Sequence, residues 1–402
     1  MQGAAVVAQF IGPPSNEGAS CNSNSMAVIF PLAEDGYYLL QKKRNGSSGI
    51  EIANKIITVG YKIKGIKEVP MTQLVDAFNR KITYMRISVT DRCNLRCVYC
   101  VPSCGTISSL PSNELLQFDE MLRLVKVAAK MGLNKIRITG GEPLVRRGVV
   151  EFIAAVNKID GIRDIAMTTN GVLLKNYAQA LRKAGLRRIN ISLDTFDPRK
   201  FLAITKGDCF DKVWEGILEA ERVGFDPIKL NVVPSKGSND NELVDFAKLT
   251  LTKPFYVRFI EFMPVDDWEG WKKSFISKAE MIERIEAALG KLEPVTDEKD
   301  KSGPAKNYKI HGAKGFVGFI SAISEHFCDT CNRIRLGADG KIKHCLFSES
   351  YIDFREPLRN GCDDAEIERL LCSVMDTKPE AHNIDINADS KKYLHSMTQI
   401  GG

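Results

Sequence analysis

No apolar run in this 402-residue chain approaches the roughly 20 residues that a membrane helix needs, so no membrane span is expected. Charge of one sign is also missing. The net charge of +6 suits an anionic nucleotide but is far from the footprint of a DNA-binding protein, and no nucleic-acid partner is expected. No basic residue precedes Lys42, which fits an Arg-rich transit peptide poorly. The eleven cysteines are too few and too clustered for a secreted disulfide scaffold. Cys21, Cys104, Cys209, Cys362 and Cys372 read as free thiols of a reducing intracellular compartment.

The other six cysteines fall into two groups of three. Cys93, Cys97 and Cys100 stand in Thr90-Asp91-Arg92-Cys93-Asn94-Leu95-Arg96-Cys97-Val98-Tyr99-Cys100. Their C-x3-C-x2-C spacing is neither the C-x2-C pair of a zinc ribbon nor the C-x2-C-x2-C run of a bacterial ferredoxin. Three thiolates in one tight loop can bind three irons of a cubane and leave the fourth open. Cys328, Cys331 and Cys345 form a second group, C-x2-C-x13-C, again one ligand short. His344 is the candidate fourth ligand for a zinc ion there. It directly precedes Cys345, however, and adjacent residues of an extended segment point to opposite sides. Arg333 and Arg335 alternate between these cysteines, so both guanidiniums can face one anion, and guanidinium donors match phosphate oxygens.

With Tyr99 before its last cysteine, the first run resembles the cluster loop of radical S-adenosylmethionine (SAM) enzymes. The two incomplete triads, the Arg-x-Arg between them and the terminal Gly401-Gly402 together resemble the GTP 3′,8-cyclase family of molybdenum-cofactor (molybdopterin) biosynthesis. Further matching segments are Arg86-Ile87-Ser88, Arg137-Ile138-Thr139-Gly140-Gly141-Glu142-Pro143, Thr168-Thr169-Asn170-Gly171, Asn190-Ile191-Ser192-Leu193-Asp194 and Val257-Arg258-Phe259-Ile260-Glu261-Phe262-Met263-Pro264. Ser324-Glu325-His326-Phe327-Cys328 resembles the eukaryotic members in particular. The resemblance runs from about residue 74 to the end.

Short β-branched runs alternate with amphipathic segments from residue 82 on. Strands are expected at 82–90, 135–139, 162–168, 188–193, 228–233 and 255–262, with a helix over 116–131 closed by Gly132. Such alternation argues for a parallel sheet, and the resemblance implies an α/β fold, a partial (β/α)6 radical SAM barrel. Each distinctive motif lies at or just after the carboxyl end of an expected strand, where parallel barrels build their sites. The expected division is an N-terminal extension at 1–70, with its first 25 or so residues disordered, the barrel at 71–295, and a C-terminal extension at 296–402 carrying the second iron–sulfur cluster.

The resemblance also implies roles. Cys93, Cys97 and Cys100 would hold the first [4Fe-4S] cluster, and Cys328, Cys331 and Cys345 the second. Tyr99, Gly141, Ser192 and Met263 would contact SAM. Arg86, Arg137, Thr168, Lys229, Arg333 and Arg335 would hold GTP, with Arg258 and Asn170 as weaker candidates. A buried cation without an anion is costly, so basic residues pointing into a barrel imply a phosphate or carboxylate. In the family, cleaved SAM yields a 5′-deoxyadenosyl radical that takes the ribose 3′ hydrogen of GTP, and the product is 3′,8-cyclo-7,8-dihydro-GTP. The Gly401, Gly402 tail would thread into the site. Implied partners are an electron donor, the downstream cyclic pyranopterin monophosphate synthase and a second copy in a homodimer. The mitochondrial matrix or the cytoplasm would be the location. Two competing readings remain: another radical SAM enzyme with an auxiliary cluster, such as a peptide-modifying maturase, and a zinc-stabilised nucleotide-binding protein.

Overall fold

A computed structural model describes residues 73–100, 109–264, 268–295 and 303–382, together with three short strands nearer the N-terminus. The chain divides into two compact units, Met1–Pro70 and Met71–Gly402. In the first, β1 (Val6–Ala8), β2 (Ala27–Pro31) and β3 (Tyr37–Gln41) pair antiparallel in that order. One of these strands, β1, falls within the span expected to be disordered; the rest of that span, and Gly401 and Gly402, lie outside the described residues.

The second unit is organised by β4 (Tyr84–Ser88), β5 (Lys135–Thr139), β6 (Asp164–Thr169), β7 (Arg188–Ser192), β8 (Ile228–Val232) and β9 (Tyr256–Ile260). These six strands lie side by side in chain order and all run parallel, as expected of a partial (β/α)6 barrel. Helices α1 (Phe118–Lys130), α2 (Val149–Val156), α3 (Leu174–Lys183), α4 (Pro198–Thr205), α5 (Phe210–Arg222) and α6 (Leu243–Thr252) fill the connections. Local chemistry sets their ends. Gln117 and Glu120 form a reciprocal capping box on α1, and Gly132 takes the positive φ (96°) that lets the chain leave the helix. Asp197 caps α4 ahead of Pro198 at its first position.

The strands are buried on both faces for different reasons. Met85 and Ile87 of β4 and Ile136 and Ile138 of β5 join the hydrophobic core beneath the helices. The alternate residues, Tyr84, Arg86 and Arg137, face the other way, into the sheet's concave side.

Past α7 (Trp268–Ser274) and α8 (Lys278–Leu289) the chain does not build a detached module. Strands β10 (Leu292–Val295), β11 (Lys306–Ile310) and β12 (Phe316–Ile320) form a meander whose last strand pairs parallel with β9. Then β13 (Arg333–Leu336) pairs parallel with β4 at the opposite edge, followed outward by β14 (Lys341–Lys343) and β15 (Ile352–Asp353). Helices α9 (Arg355–Arg359) and α10 (Asp364–Asp376) follow. Residues on both sides of position 295 therefore share one twelve-stranded sheet and one compact unit. The first of the six-strand set and the last are both flanked by C-terminal strands. Among the described residues no helix is long and apolar enough to cross a membrane.

Candidate active site

Cys93, Cys97 and Cys100 follow β4 and open onto one cavity with Tyr99, Gly140, Gly141, Asn170, Ser192, Asp194 and Met263. The loop is held by backbone bonds to its neighbours: Arg96 and Val98 donate to Thr205 and Ile204 at the end of α4. Gly141 and Glu142 donate to the carbonyls of Thr90 and Arg92. A Cβ at Gly141 would lie 2.3 Å from the Arg92 carbonyl oxygen, and one at Gly140 2.6 Å from that of Thr90. Those glycines are thus required by the close approach of the cysteine loop's own backbone, beyond any need of a ligand. Glu142 is buried and accepts from Leu144 N, Thr169 Oγ1 and Asn170 N, which ties the β5 and β6 turns together. Burial raises its carboxyl to about 7.

Tyr99 donates its hydroxyl to Asp194 Oδ2 at 2.6 Å, and Asp194 Oδ1 accepts from Val233 N. Burial pushes Asp194 up to about 6. Burial likewise raises all three thiols, Cys100 to about 12, with the neighbouring cysteines and Asp194 adding to the effect at Cys97 and Cys100. A metal that binds here must displace those protons.

Cys328, Cys331 and Cys345 open onto a second cavity. Its other walls include Tyr84, Arg86, Arg137, Arg258, Arg333 and Arg335. Strand register explains the concentration of charge: Arg335 is paired with Arg86, and Arg86 with Arg137, so three guanidinium-bearing residues stand abreast on adjacent parallel strands. Burial and then the adjacent Arg335 hold the Arg86 guanidinium well below its usual range. Burial, then Arg333, does the same to Arg335. Burial pushes the Tyr84 phenol up, but Arg137, Arg86, Lys135 and Arg333 outweigh it and bring it down to about 8. Tyr84 accepts a hydrogen bond from Arg137 Nε. Arg258 finds room because Gly318 faces it; a Cβ there would sit 3.3 Å from Arg258 Cγ.

Burial raises the Cys328 thiol as it does those of the first set, but Cys331 differs. Burial raises the Cys331 thiol, but Arg333 and Lys378 beside it bring it down to about 7. His344 and Cys345 line the same cavity. Both lie in a bend after β14, outside the extended structure on which the expectation of opposed side chains rested. Burial, with Lys378, Arg80 and Lys343, lowers His344 to about 4, so its ring is neutral.

The two cavities adjoin. Thr168, Asn231, Ile260 and Met263 line both, so the thiol triads open onto cavities that share a wall of four residues. Each space, counted out to its open mouth and including solvent there, measures about 1,100 Å³. Of the residues singled out from sequence, Tyr99, Gly141, Ser192 and Met263 line the first cavity with its cysteines, and Arg86, Arg137, Thr168, Arg333 and Arg335 the second with its own. Lys229 lines neither; its ammonium lies 5.1 Å from the Tyr256 ring centroid. Asn170 lines the first cavity, its amide 3.8 Å from Cys93 Sγ. Asp194 and Tyr84 carried a detectable signal, one following a strand end and the other alternating with Arg86. Lys378 and Arg80 carried none.

Among the described residues no three His, Cys, Asp or Glu side chains converge on a point that would hold one metal ion. A cubane asks for something else, because each thiolate binds a different iron. Three thiols around one cavity fit such a group at each site.

Comparisons with known proteins show the family. The radical SAM superfamily matches residues 87–250, and the family Molybdenum Cofactor Synthesis C matches 255–384. A GTP 3′,8-cyclase of Thermodesulfovibrio yellowstonii is 49% identical over 328 residues, covering 81% of this chain and 99% of the relative. One from Alkaliphilus oremlandii is 48% identical over 330 residues, with 81% and 99% covered. One from Geobacter sulfurreducens is 42% identical over 330 residues, with 82% and 100% covered. The structure of Streptococcus suis SuiB bound to S-adenosylmethionine overlaps at 16% identity and a TM-score of 0.49, covering 77% of this chain and 78% of that one.

Proposed function

We infer the roles of the two cavities from the premise that the chain belongs to the GTP 3′,8-cyclase family of radical SAM enzymes. The protein cyclises GTP to 3′,8-cyclo-7,8-dihydro-GTP, the first step of molybdenum-cofactor biosynthesis. The observation that carries this is the shared wall: a cavity suited to SAM and a cavity suited to a polyphosphate meet at Thr168, Asn231, Ile260 and Met263.

In the first cavity, Cys93, Cys97 and Cys100 would hold a [4Fe-4S] cluster whose open iron takes SAM. Together, when bound, they supply the one-electron chemistry that starts hydrogen abstraction from the ribose. Asp194 fixes Tyr99 there, and Glu142 fixes the Gly140-Gly141 turn beneath the ligand. The buried carboxylates and the Ser192 and Asn170 side chains suit the ammonium end of SAM. In the second cavity, Cys328, Cys331 and Cys345 would hold a second [4Fe-4S] cluster, which would supply an iron site for the guanine. Arg86, Arg137, Arg333 and Arg335 take the triphosphate, and Arg258 joins them from β9. Fixed anchors at both ends of GTP place one ribose C–H at the wall between the cavities, which is the geometric requirement of the reaction.

All nine cysteines of the described residues are free thiols, which suits a reducing compartment. An electron donor and the downstream cyclic pyranopterin monophosphate synthase are the partners that this reaction requires.

The test is anaerobic. Purified protein should contain about eight irons per chain and negligible zinc, and should convert GTP to the cyclised nucleotide when given SAM and a one-electron reductant. Zinc in place of iron would leave a zinc-stabilised nucleotide-binding protein. Iron-loaded protein that cleaves SAM but leaves GTP unchanged would point to a different radical SAM substrate.

A further inference from the structure

We propose that Lys378 is a positioning residue of the second triad, holding its two halves together and setting its reduction potential with one fixed positive charge. The proposal rests on the reading of Cys328, Cys331 and Cys345 as a cluster site.

Lys378 follows α10 and is buried, 4% exposed. Its ammonium donates to the His344 carbonyl at 2.9 Å and the Arg333 carbonyl at 3.2 Å, and lies 3.7 Å from Cys331 Sγ. An ammonium has three hydrogens and no acceptor, so these contacts use all of them. They also span the triad. Arg333 follows Cys331 closely and His344 directly precedes Cys345, so one side chain bridges the loop before β13 to the bend after β14.

Among the described residues no carboxylate forms an ion pair with this charge. Its described polar contacts are two carbonyls and one sulfur. Nearby Arg80 shows the alternative. Its guanidinium donates to the Cys328, Pro379 and Glu380 carbonyls, and its Nε pairs with buried Asp76 at 2.6 Å. Asp76 offsets the Arg80 charge, whereas a buried lysine without a carboxylate is costly unless an anion lies against it. A cluster with its thiolates is that anion. Hydrogen bonds and charges at cluster sulfurs tune potential, and a fixed cation favours the reduced, more negative state. Lys378 should therefore raise the potential of the second cluster and leave the first unaffected.

The experiment is a redox titration of the full-length, two-cluster protein, following the electron paramagnetic resonance signal that SAM does not move. In Lys378→Met, the ratio of reduced to oxidised second cluster at the parent's midpoint should fall about tenfold, equivalent to about 59 mV for one electron. Lys378→Arg keeps the charge and should restore most of that shift. If Lys378→Met sheds the second cluster while Lys378→Arg keeps it, the charge is needed to hold the triad, which upholds the assignment. An unchanged midpoint in fully loaded Lys378→Met overturns it, as does an equal drop in both variants. A parent protein that loads only about four irons fails differently, because then the cluster reading of the second triad is at fault.

Discussion

The two thiol triads make the same chemical demand and meet it in opposite surroundings. Cys93, Cys97 and Cys100 lie in one loop after β4, among the buried carboxylates Glu142 and Asp194, and burial drives their thiols upward. Cys328, Cys331 and Cys345 are split by β13 and β14 and sit among Arg80, Arg333, Arg335 and Lys378. There the cations bring Cys331 down to about 7 despite its burial. A cationic ligand is favoured at the first site and an anionic one at the second. The lesson is that a cysteine pattern specifies a type of inorganic group, while the charge around it selects the organic partner.

The sharpest test of that contrast removes one thiol from each side. Cys97→Ser should reduce SAM cleavage to background while leaving the second triad's iron in place. Cys331→Ser should keep part of the SAM cleavage and lose the cyclised product. Iron analysis with chromatography of 5′-deoxyadenosine and product reads both. Cyclase activity surviving in Cys97→Ser would break the comparison outright.

A smaller effect is expected from the charge itself. Arg333→Ala or Arg335→Ala should weaken GTP binding roughly ten- to a hundredfold or more, because each removes one partner from a desolvated phosphate contact. SAM affinity should stay level, and lysine at either position should rescue only in part, since a point charge lacks the guanidinium fork. Calorimetric titration under anaerobic conditions measures this. Parent-like GTP affinity in both alanine variants would separate the arginine row from substrate.

Tyr84 sharpens the comparison through pH. Its phenol is lowered to about 8 when folded, against an ordinary value of 10.0. An acid whose folded pKa is depressed contributes stability that is fully present above the unfolded pKa and lost as pH falls through the folded one. Ligand-free protein should therefore gain on the order of 2–3 kcal/mol over Tyr84→Phe between about pH 8 and pH 10. Denaturant melts across that range would show the two curves diverging. Parallel curves would mean that the cations do not act on this phenol. The smallest effect belongs to Cys104→Ala, which should keep full iron and activity; loss of one cluster's iron would place Cys104 among the ligands.

Much of this was legible in the residues. The expected strand at 135–139 coincides with β5, and the others agree to within two residues at each end. Hydrophobic alternation in a parallel sheet is a local property, and the turns that follow carry their own motifs. Arg86 and Arg137 were given GTP-holding roles by the resemblance alone, and their inward direction comes from the sheet. What local residues left open was of a different kind. The expected C-terminal extension carries β12 and β13, which join opposite edges of the sheet, and nothing local to a strand names its partner. Gly140 and Gly141 line the first cavity, and the backbone of Thr90 and Arg92 also closes on them, a contact that no local motif announces.

By itself, the amino-acid sequence determined the two cysteine triads, the alternation of Arg333 with Arg335, and the strand–helix rhythm that builds the barrel. Each is written in residues a few positions apart, where spacing and side-chain period suffice. Tertiary structure alone decided that the triads open onto adjoining cavities, that Arg335, Arg86 and Arg137 stand abreast, and that Lys378 and Arg80 reach the second triad's loops. Those outcomes depend on β13 pairing with β4 across almost 250 positions of chain. Backbone hydrogen bonding is the same for any strand, so the choice of edge is made by the packing of the whole sheet.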